Sequence, residues 1–268
     1  VLPPDVAAKI AAGEVIERPV SVAKELLENA IDAGATEIKV EITQGGRRLI
    51  QVADNGCGIP DNEVELAFTR YATSKLGSAE DLAHIRTLGF RGEALASIAA
   101  VSRLTILTRT ADEEIATLYR IEGGTPAQHE RQARPPGTTV QVENLFYNTP
   151  ARLKFLKSDT TEASHVARLV SSYALAYPDK RLAYHHNDRL VVRTTGTGRL
   201  YDVIVAIYGL DVAEQMLEIE ARQGPAGITV EGYVSAPSVH RPSRQDRVFF
   251  ENGRWVQDNS LTYAVTEA

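Results

Sequence analysis

RPVSVAKELLENAIDAGATEIKVEITQGGRRLIQVADNGCG, residues 18–58, carries the reading of the fold. Pro19 has its φ pre-set for a first helical turn, and Ser21 is a polar residue able to cap one. Ala23, Leu26, Leu27, Ala30 and Ile31 then recur at i, i+3, i+4, i+7 and i+8, the stripe of a helix with one buried face. Gly34 ends that helix. Ile38, Val40 and Ile42 alternate with Lys39 and Glu41, the period of a half-buried strand. Gln44-Gly45-Gly46-Arg47 is a turn, and Leu49–Ala53 returns as the second strand of a hairpin. The strand runs out into Asp54-Asn55-Gly56-Cys57-Gly58, a loop by composition.

Downstream, Asp61 is placed to cap a short helix through Val64, Leu66, Ala67 and Phe68. Residues 72–92 lack periodicity and are rich in Gly, Ser and Thr, which reads as a long mobile loop with one short helix near Ala79–His84. Glu93–Val101 reads as helix, and Leu104–Arg109, Ala116–Ile121 and Thr138–Val142 as strands. Val166, Leu169, Val170, Tyr173 and Ala174 mark a second long helix, followed by a hairpin turning at Asn187-Asp188. Thr194-Thr195-Gly196-Thr197-Gly198 is the best linker candidate. Beyond it come a helix near Tyr201–Tyr208, strands near Met216–Glu220, Ile228–Ser235 and Arg247–Glu251, and a helix opening near Asn259. This order predicts an α+β protein, with helices on one face of a mixed, mostly antiparallel sheet. The two domains span 1–196 and 197–268, and the second reads as incomplete.

Composition narrows the function classes. At 268 residues, 43% hydrophobic and 24% charged, the chain is ordinary globular material and long enough to bury a large core. One cysteine, Cys57, excludes an internal disulfide or a cysteine-rich zinc site, and its place between glycines reads as a small filler. No apolar run reaches the ~20 residues that span a bilayer, which favours a cytoplasmic protein without membrane partners. The chain opens at Val1, not Met, as a piece of a longer protein would. The net charge of −6 lies in residues 1–150, and an acidic total argues against a strongly basic nucleic-acid binder. Two local basic clusters stand out: Arg152, Lys154 and Lys157, and Arg241, Arg244 and Arg247.

Four stretches carry chemistry. Glu25 and Asn29 are four apart on one helix face, with Glu28 and Asp32 beside them. A carboxylate there can polarise water, and an amide oxygen can ligate a hard cation such as Mg²⁺ that keeps phosphate and water ligands. Alone, the pair is equally an exposed polar face. Asp54 with Gly56 and Gly58 suits a bound ring whose exocyclic amine donates to the carboxylate; it also suits a plain Asp-Asn-Gly turn. Gly89-Phe90-Arg91-Gly92 opens a helix, an anion site or an ordinary capping loop. Thr73-Ser74-Lys75 offers hydroxyls and a cation to phosphates. The six histidines lack zinc spacing and read as packing or surface residues.

Taken in order, Glu25-x-x-x-Asn29, Asp54-x-Gly56-x-Gly58, Gly89-Phe90-Arg91-Gly92 and Gly137-Thr138-Thr139 resemble the four ATP-site motifs of the gyrase, heat-shock chaperone, histidine kinase and MutL superfamily. Within it, IAAGEVIERP (10–19), ATSK (72–75), GFRGEAL (89–95) and LFYNTPAR (145–152) resemble the bacterial MutL family, with Asn252-Gly253-Arg254 a marker of its second domain. The resemblance implies a two-layer ATP-binding sandwich followed by part of a domain like domain 2 of ribosomal protein S5. It implies a DNA mismatch repair ATPase that uses ATP and Mg²⁺. Glu25 would activate water, and Asn29 would hold the metal. Asp54 would read the adenine amino group, with Ala33, Gly56, Gly58, Ile59, Thr138 and Thr139 around it. Thr73, Ser74, Lys75, Gly89, Phe90, Arg91 and Gly92 would form a lid over the phosphates, ordered by ATP as in other γ-phosphate switches.

The same resemblance implies closure of a homodimer on ATP. It implies signalling to the mismatch-recognition protein MutS and to helicase or nuclease partners, in a bacterial cytoplasm near the nucleoid. DNA contact would be weak and salt-sensitive, through Arg241, Arg244, Arg247 and Arg254, because no basic residue soon follows Asn252-Gly253-Arg254. A second-domain lysine that reaches the γ-phosphate in relatives would lie past Ala268, so impaired turnover is expected of this chain alone. The alternatives are the ATPase subunit of a type II topoisomerase, which shares the ATP motifs, and a scaffold that binds nucleotide without hydrolysing it.

Overall fold

Helix α1 runs from Pro19 to Asp32 and turns Val22, Ala23, Leu26, Leu27, Ala30 and Ile31 into the interior. It starts at Pro19 as expected, and Ser21 lies inside the helix and does not cap it. Arg18 holds the extended N-cap conformation without a side-chain cap bond, and Pro19 supplies the first turn. Each of Leu26, Leu27 and Ile31 contributes on the order of 2 kcal/mol by leaving water, before the entropy of ordering it. This computed structural model describes residues 11–13, 15–69, 88–89, 92–224, 227–236, 238–239, 247–256 and 258–267.

The layer beneath α1 is one eight-stranded sheet. Its strands are β1 (Glu37–Thr43), β2 (Leu49–Asp54), β3 (Arg103–Arg109), β4 (Ala116–Glu122), β5 (Thr125–Gln132), β6 (Gly137–Glu143), β7 (Arg181–His186) and β8 (Arg189–Arg193). Their order is β5-β4-β3-β6-β2-β1-β7-β8. Every neighbouring pair is antiparallel except β1 with β7. On β1, Ile38, Val40 and Ile42 are buried while Glu37 and Lys39 are exposed, the one-sided pattern of a sheet covered by helices on a single face. The covering layer is α1, α2 (Ala94–Ala100) and α4 (Asp159–Ala176), with the short α3 (Pro150–Phe155) leading into α4. Ser158 caps α4 by accepting from the Thr161 amide at 3.3 Å.

The observed elements depart from expectation in several places. Asp61 caps no α-helix: residues 61–63 and 66–68 are single 3₁₀ turns. Its carboxylate instead accepts from Thr117 at 2.6 Å and from Arg131 at 2.6 Å. Strand β5 departs from the sequence expectation because it has no buried apolar face; it is an edge strand held by its pairing with β4. Thr194, placed in a linker, is 3% exposed, and its hydroxyl accepts from the Leu182 amide and donates to the Lys180 carbonyl. The linker candidate is thus strapped to the start of β7. Arg152, placed in a basic surface cluster, turns inward, donates to the Ile16 carbonyl at 3.0 Å and lies over the Phe146 ring.

After β8 the chain forms α5 (Leu200–Tyr208), the short α6 (Leu210–Ala213), the antiparallel pair β9 (Met216–Gln223) and β10 (Thr229–Ser235), the hairpin β11 (Phe249–Glu251) and β12 (Arg254–Val256), and α7 (Asn259–Glu267). β12 is short and went unrecognised in the sequence. Tyr201 on α5 meets Tyr233 on β10 at 6.3 Å between ring centroids. Tyr177, just past α4, donates to the Gly253 carbonyl in the β11–β12 turn at 3.0 Å. Among the described residues, no helix is long and apolar enough to cross a membrane.

Candidate functional site

The alternation of β2 puts Asp54 on the same sheet face as Ile50 and Val52, the face that α1 covers. The strand ends there, so a carboxylate reaches the margin of the core. Its Oδ1 accepts from the Gly56 amide at 2.8 Å and from the Thr138 amide on β6 at 3.3 Å. Burial raises the Asp54 pKa above the ordinary carboxylate value, and these two amides and the Arg134 guanidinium oppose that rise. The second oxygen of the carboxylate is not needed for either bond.

Two glycines let the backbone close around this carboxylate. A Cβ on Gly56 would come within 2.8 Å of Ala33. Gly137 has a φ of +121°, and a Cβ there would stand 2.2 Å from the Asp54 carbonyl oxygen. The Cys57 amide donates to the Ala33 carbonyl at 3.0 Å, which joins the loop to the last turn of α1. The Cys57 thiol itself is exposed, so its expected filler role is not the one it has; its backbone makes the joint.

Leu88 and Gly89 reach the same place. Asp32, beside Ala33, accepts from the Leu88 amide at 2.9 Å and from the Gly89 amide at 3.0 Å. Gly92, just ahead of α2, has a φ of +62°. The end of α1, the Asp54 loop, the start of β6 and Leu88-Gly89 therefore meet. Counting back along α1, Asn29 lies one turn before Ala33 and Glu25 two turns before it, about 12 Å at the helical rise. Glu25 and Asn29 are both partly exposed.

Ile59 is held by its amide, which donates to the Thr108 hydroxyl at 2.8 Å. Thr108 is fully buried and also meets Thr138 at 3.0 Å and the Gly137 carbonyl at 3.3 Å. Sequence reading missed Thr108, whose only signal is a hydroxyl inside an otherwise apolar strand. Thr139 does not join this group: it falls on the opposite sheet face, with Gln51 and Gln141. Thr73, Ser74, Lys75, Phe90 and Arg91 lie outside the described residues, as do Arg241, Arg244 and the helix expected at 79–84. A separate shallow hollow of about 410 Å³ is lined by Asp61, Asn62, Glu113, Glu114, Ile115 and Arg131. Three carboxylates on its rim make it a poor place for phosphates.

Known proteins resemble this chain in sequence and fold. Residues 17–147 match the family model of histidine kinase-, DNA gyrase B- and HSP90-like ATPases. Residues 204–268 match the model of the DNA mismatch repair protein C-terminal domain. The DNA mismatch repair protein MutL of Heliobacterium modesticaldum is 47% identical over 97% of this chain and 39% of its own length. That of Desulforamulus reducens is 49% identical over 97% of this chain and 40% of its own. The chain thus spans about two fifths of these relatives. The solved MutL ATPase domain of Aquifex aeolicus complexed with ADP superposes with a TM-score of 0.73 at 30% identity, covering 94% of this chain and 88% of that one. The topoisomerase alternative finds no comparable support. A mostly antiparallel sheet under one helical layer, with the four motif stretches and these relatives, identifies the chain as a member of the MutL family of DNA mismatch repair proteins.

Proposed function

We propose that this chain is the ATP-binding and ATP-hydrolysing part of a mismatch repair matchmaker. The observation that carries the reading is the meeting of Ala33, Asp54, Thr138 and Gly89 at one end of α1, with Asn29 and Glu25 at successive turns along it. Asp54 accepts from the adenine amino group. Its burial keeps competing water out, and Gly56 and Gly137 let the backbone close tightly behind it. Gly89 and Gly92, with Thr73, Ser74, Lys75, Phe90 and Arg91, close over the phosphates. Glu25 takes a proton from the attacking water. In phosphoryl transfer such positioning does most of the work, since little covalent chemistry falls to the protein.

Among the described residues, no three His, Cys, Asp or Glu side chains gather to hold a metal. A magnesium ion brought with the nucleotide would rely on phosphate oxygens and Asn29 and would neutralise charge on the transferred group. In this reading, lobe 1–196 binds ATP and lobe 197–268 transmits its state. Nucleotide closes a homodimer that signals to MutS and to helicase or nuclease partners in the bacterial cytoplasm, at the nucleoid. Arg241, Arg244, Arg247 and Arg254 give weak, salt-sensitive DNA contact.

The test is ATP turnover and nucleotide affinity of the full-length protein, with light scattering in the presence and absence of a non-hydrolysable ATP analogue. The reading predicts turnover that Glu25→Ala removes, binding that Glu25→Ala retains, and a larger particle with nucleotide. Absence of nucleotide binding in the wild type overturns it. Binding without turnover leaves the non-hydrolysing scaffold.

A further inference from the structure

The helix that carries Glu25 also carries a carboxylate that the proposed reaction does not use. Glu28 is 6% exposed, three residues on from Glu25. Taking a carboxylate out of water is unfavourable unless it is paired and hydrogen-bonded, and an apolar residue would fill this position more favourably. Glu28 has two partners. Tyr173, on the facing helix α4, donates its hydroxyl to Oε1. The Lys24 ammonium, one turn back on α1, donates to Oε2 at 2.8 Å. The same Lys24 Nζ lies 4.0 Å from Oε1 of Glu25.

One ammonium therefore stands between two carboxylates, and the buried one is anchored from another helix. Tyr173 is 1% exposed. Burial and the nearby Glu28 push its hydroxyl pKa up, so it stays a donor. Lys24 is about half exposed and would otherwise sample many rotamers, each lost at an entropic cost on ordering. Fastened to Glu28, it presents its charge to Glu25 from a constant side.

We propose that Tyr173 and Glu28 fix Lys24 as a positioning residue for Glu25, so that the Glu25 carboxylate is held in the orientation from which it accepts a proton from water. This rests on the reading of Glu25 as the general base. Lys24 touches neither the water nor the nucleotide; it acts through Glu25. Held geometry is worth orders of magnitude in rate, whereas it adds little to ground-state binding.

The experiment measures steady-state ATP turnover and the affinity for a non-hydrolysable ATP analogue in the full-length protein. The variants are Tyr173→Phe, Lys24→Met, Lys24→Arg and Tyr173→Phe/Lys24→Met, each checked for a cooperative thermal transition. Expected is a drop in kcat of about tenfold for Tyr173→Phe and for Lys24→Met, with affinity within about twofold of wild type. Lys24→Arg restores most of the rate. The double variant is no slower than Lys24→Met alone, because both changes break one chain of contacts. Three results overturn the proposal: unchanged kcat in both single variants, a loss of affinity in place of rate (Lys24 then contacts phosphate itself), or rate losses that multiply in the double variant. Glu25→Gln separates the two readings. If it turns over like wild type, the assignment of Glu25 as base fails and takes this inference with it. If it is inactive while Tyr173→Phe and Lys24→Met are normal, only the inference fails.

Discussion

Tyr177 donates its hydroxyl to the carbonyl of Gly253 at 3.0 Å, and that bond ties the end of α4 to the β11–β12 turn. One helical turn earlier on α4, Tyr173 donates to Glu28 on α1. The two rings stack at 6.4 Å between centroids, 6° from parallel. Two stacked tyrosines one turn apart thus hold α4 to the Glu25 helix and to Gly253 of the β11–β12 turn. Burial raises the Tyr177 pKa, and so do the Asp32 and Glu28 charges against the opposing Arg254. The phenol stays protonated and keeps donating.

Tyr177→Phe removes that donor and keeps the ring. The Gly253 carbonyl is left partly unsatisfied, at a cost of about 1 kcal/mol. The expected outcome is a small fall in thermal midpoint together with faster amide exchange at residues 253–256, while exchange in β1 and β2 is unchanged. Equal exchange in both proteins would show that the turn docks without this bond.

Glu25→Ala should separate binding from chemistry. General base catalysis is worth roughly a hundredfold or more in rate, and a residue acting only on the attacking water adds little to nucleotide affinity. Turnover should fall by at least that factor while calorimetric affinity for ATP holds. Loss of both together would mark Glu25 as a structural residue of the helix.

Gly137 tests the geometry around Asp54. A methyl group at this position would meet the Asp54 carbonyl oxygen at 2.2 Å, and its φ of +121° is strained for any L side chain. Neither backbone can yield without shifting β6 against β2. Gly137→Ala should cost about 2 kcal/mol or more in chemical denaturation. A change under a few tenths of a kcal/mol would mean that the two strands part easily at this end.

Much of this architecture is legible in the sequence, and the exceptions have physical causes. The α1 stripe and the β1–β2 hairpin declare themselves because each has one buried face, which imposes a period of 3.6 or 2 on the apolar residues. Strand β5 has no buried face: its place is set by backbone pairing with β4, which leaves no mark on side-chain polarity. Asp61 looks like a helix cap in isolation, and only the folded chain brings Thr117 and Arg131 to it from β4 and β5. Thr108 is hidden for the same reason, since its three partners lie 29 to 49 residues away. Glu28 reads as one more surface acid until α4 is laid over it. The motif stretches are found by spacing, but that Asp32 grips Leu88 and Gly89 is a tertiary fact.

Asp54 should trade stability for binding. Its folded-state pKa is raised, chiefly by burial, above the ordinary value it has when unfolded. The folded protein therefore keeps this proton to a higher pH than the unfolded chain does. Stability associated with the group is present below the ordinary carboxylate range and is lost as pH rises through the raised pKa. At neutral pH the buried carboxylate is thus a net cost to folding. Asp54→Asn removes the charge, and the Asn oxygen still accepts from the Gly56 and Thr138 amides. The variant should melt higher at neutral pH, with the difference shrinking in acid. The Asn amide then turns a donor toward the place where the adenine amino group also donates. Such a clash leaves two donors unpaired, about 2 kcal/mol or roughly thirtyfold in affinity. Wild-type affinity for ATP should itself weaken as pH falls through the raised pKa, and the variant should lack that dependence. Calorimetric titrations across pH, run beside thermal melts, measure both sides. A variant that binds ATP as tightly as wild type would remove Asp54 from base recognition, and one that melts lower would show that the charged carboxylate is held better than its burial implies.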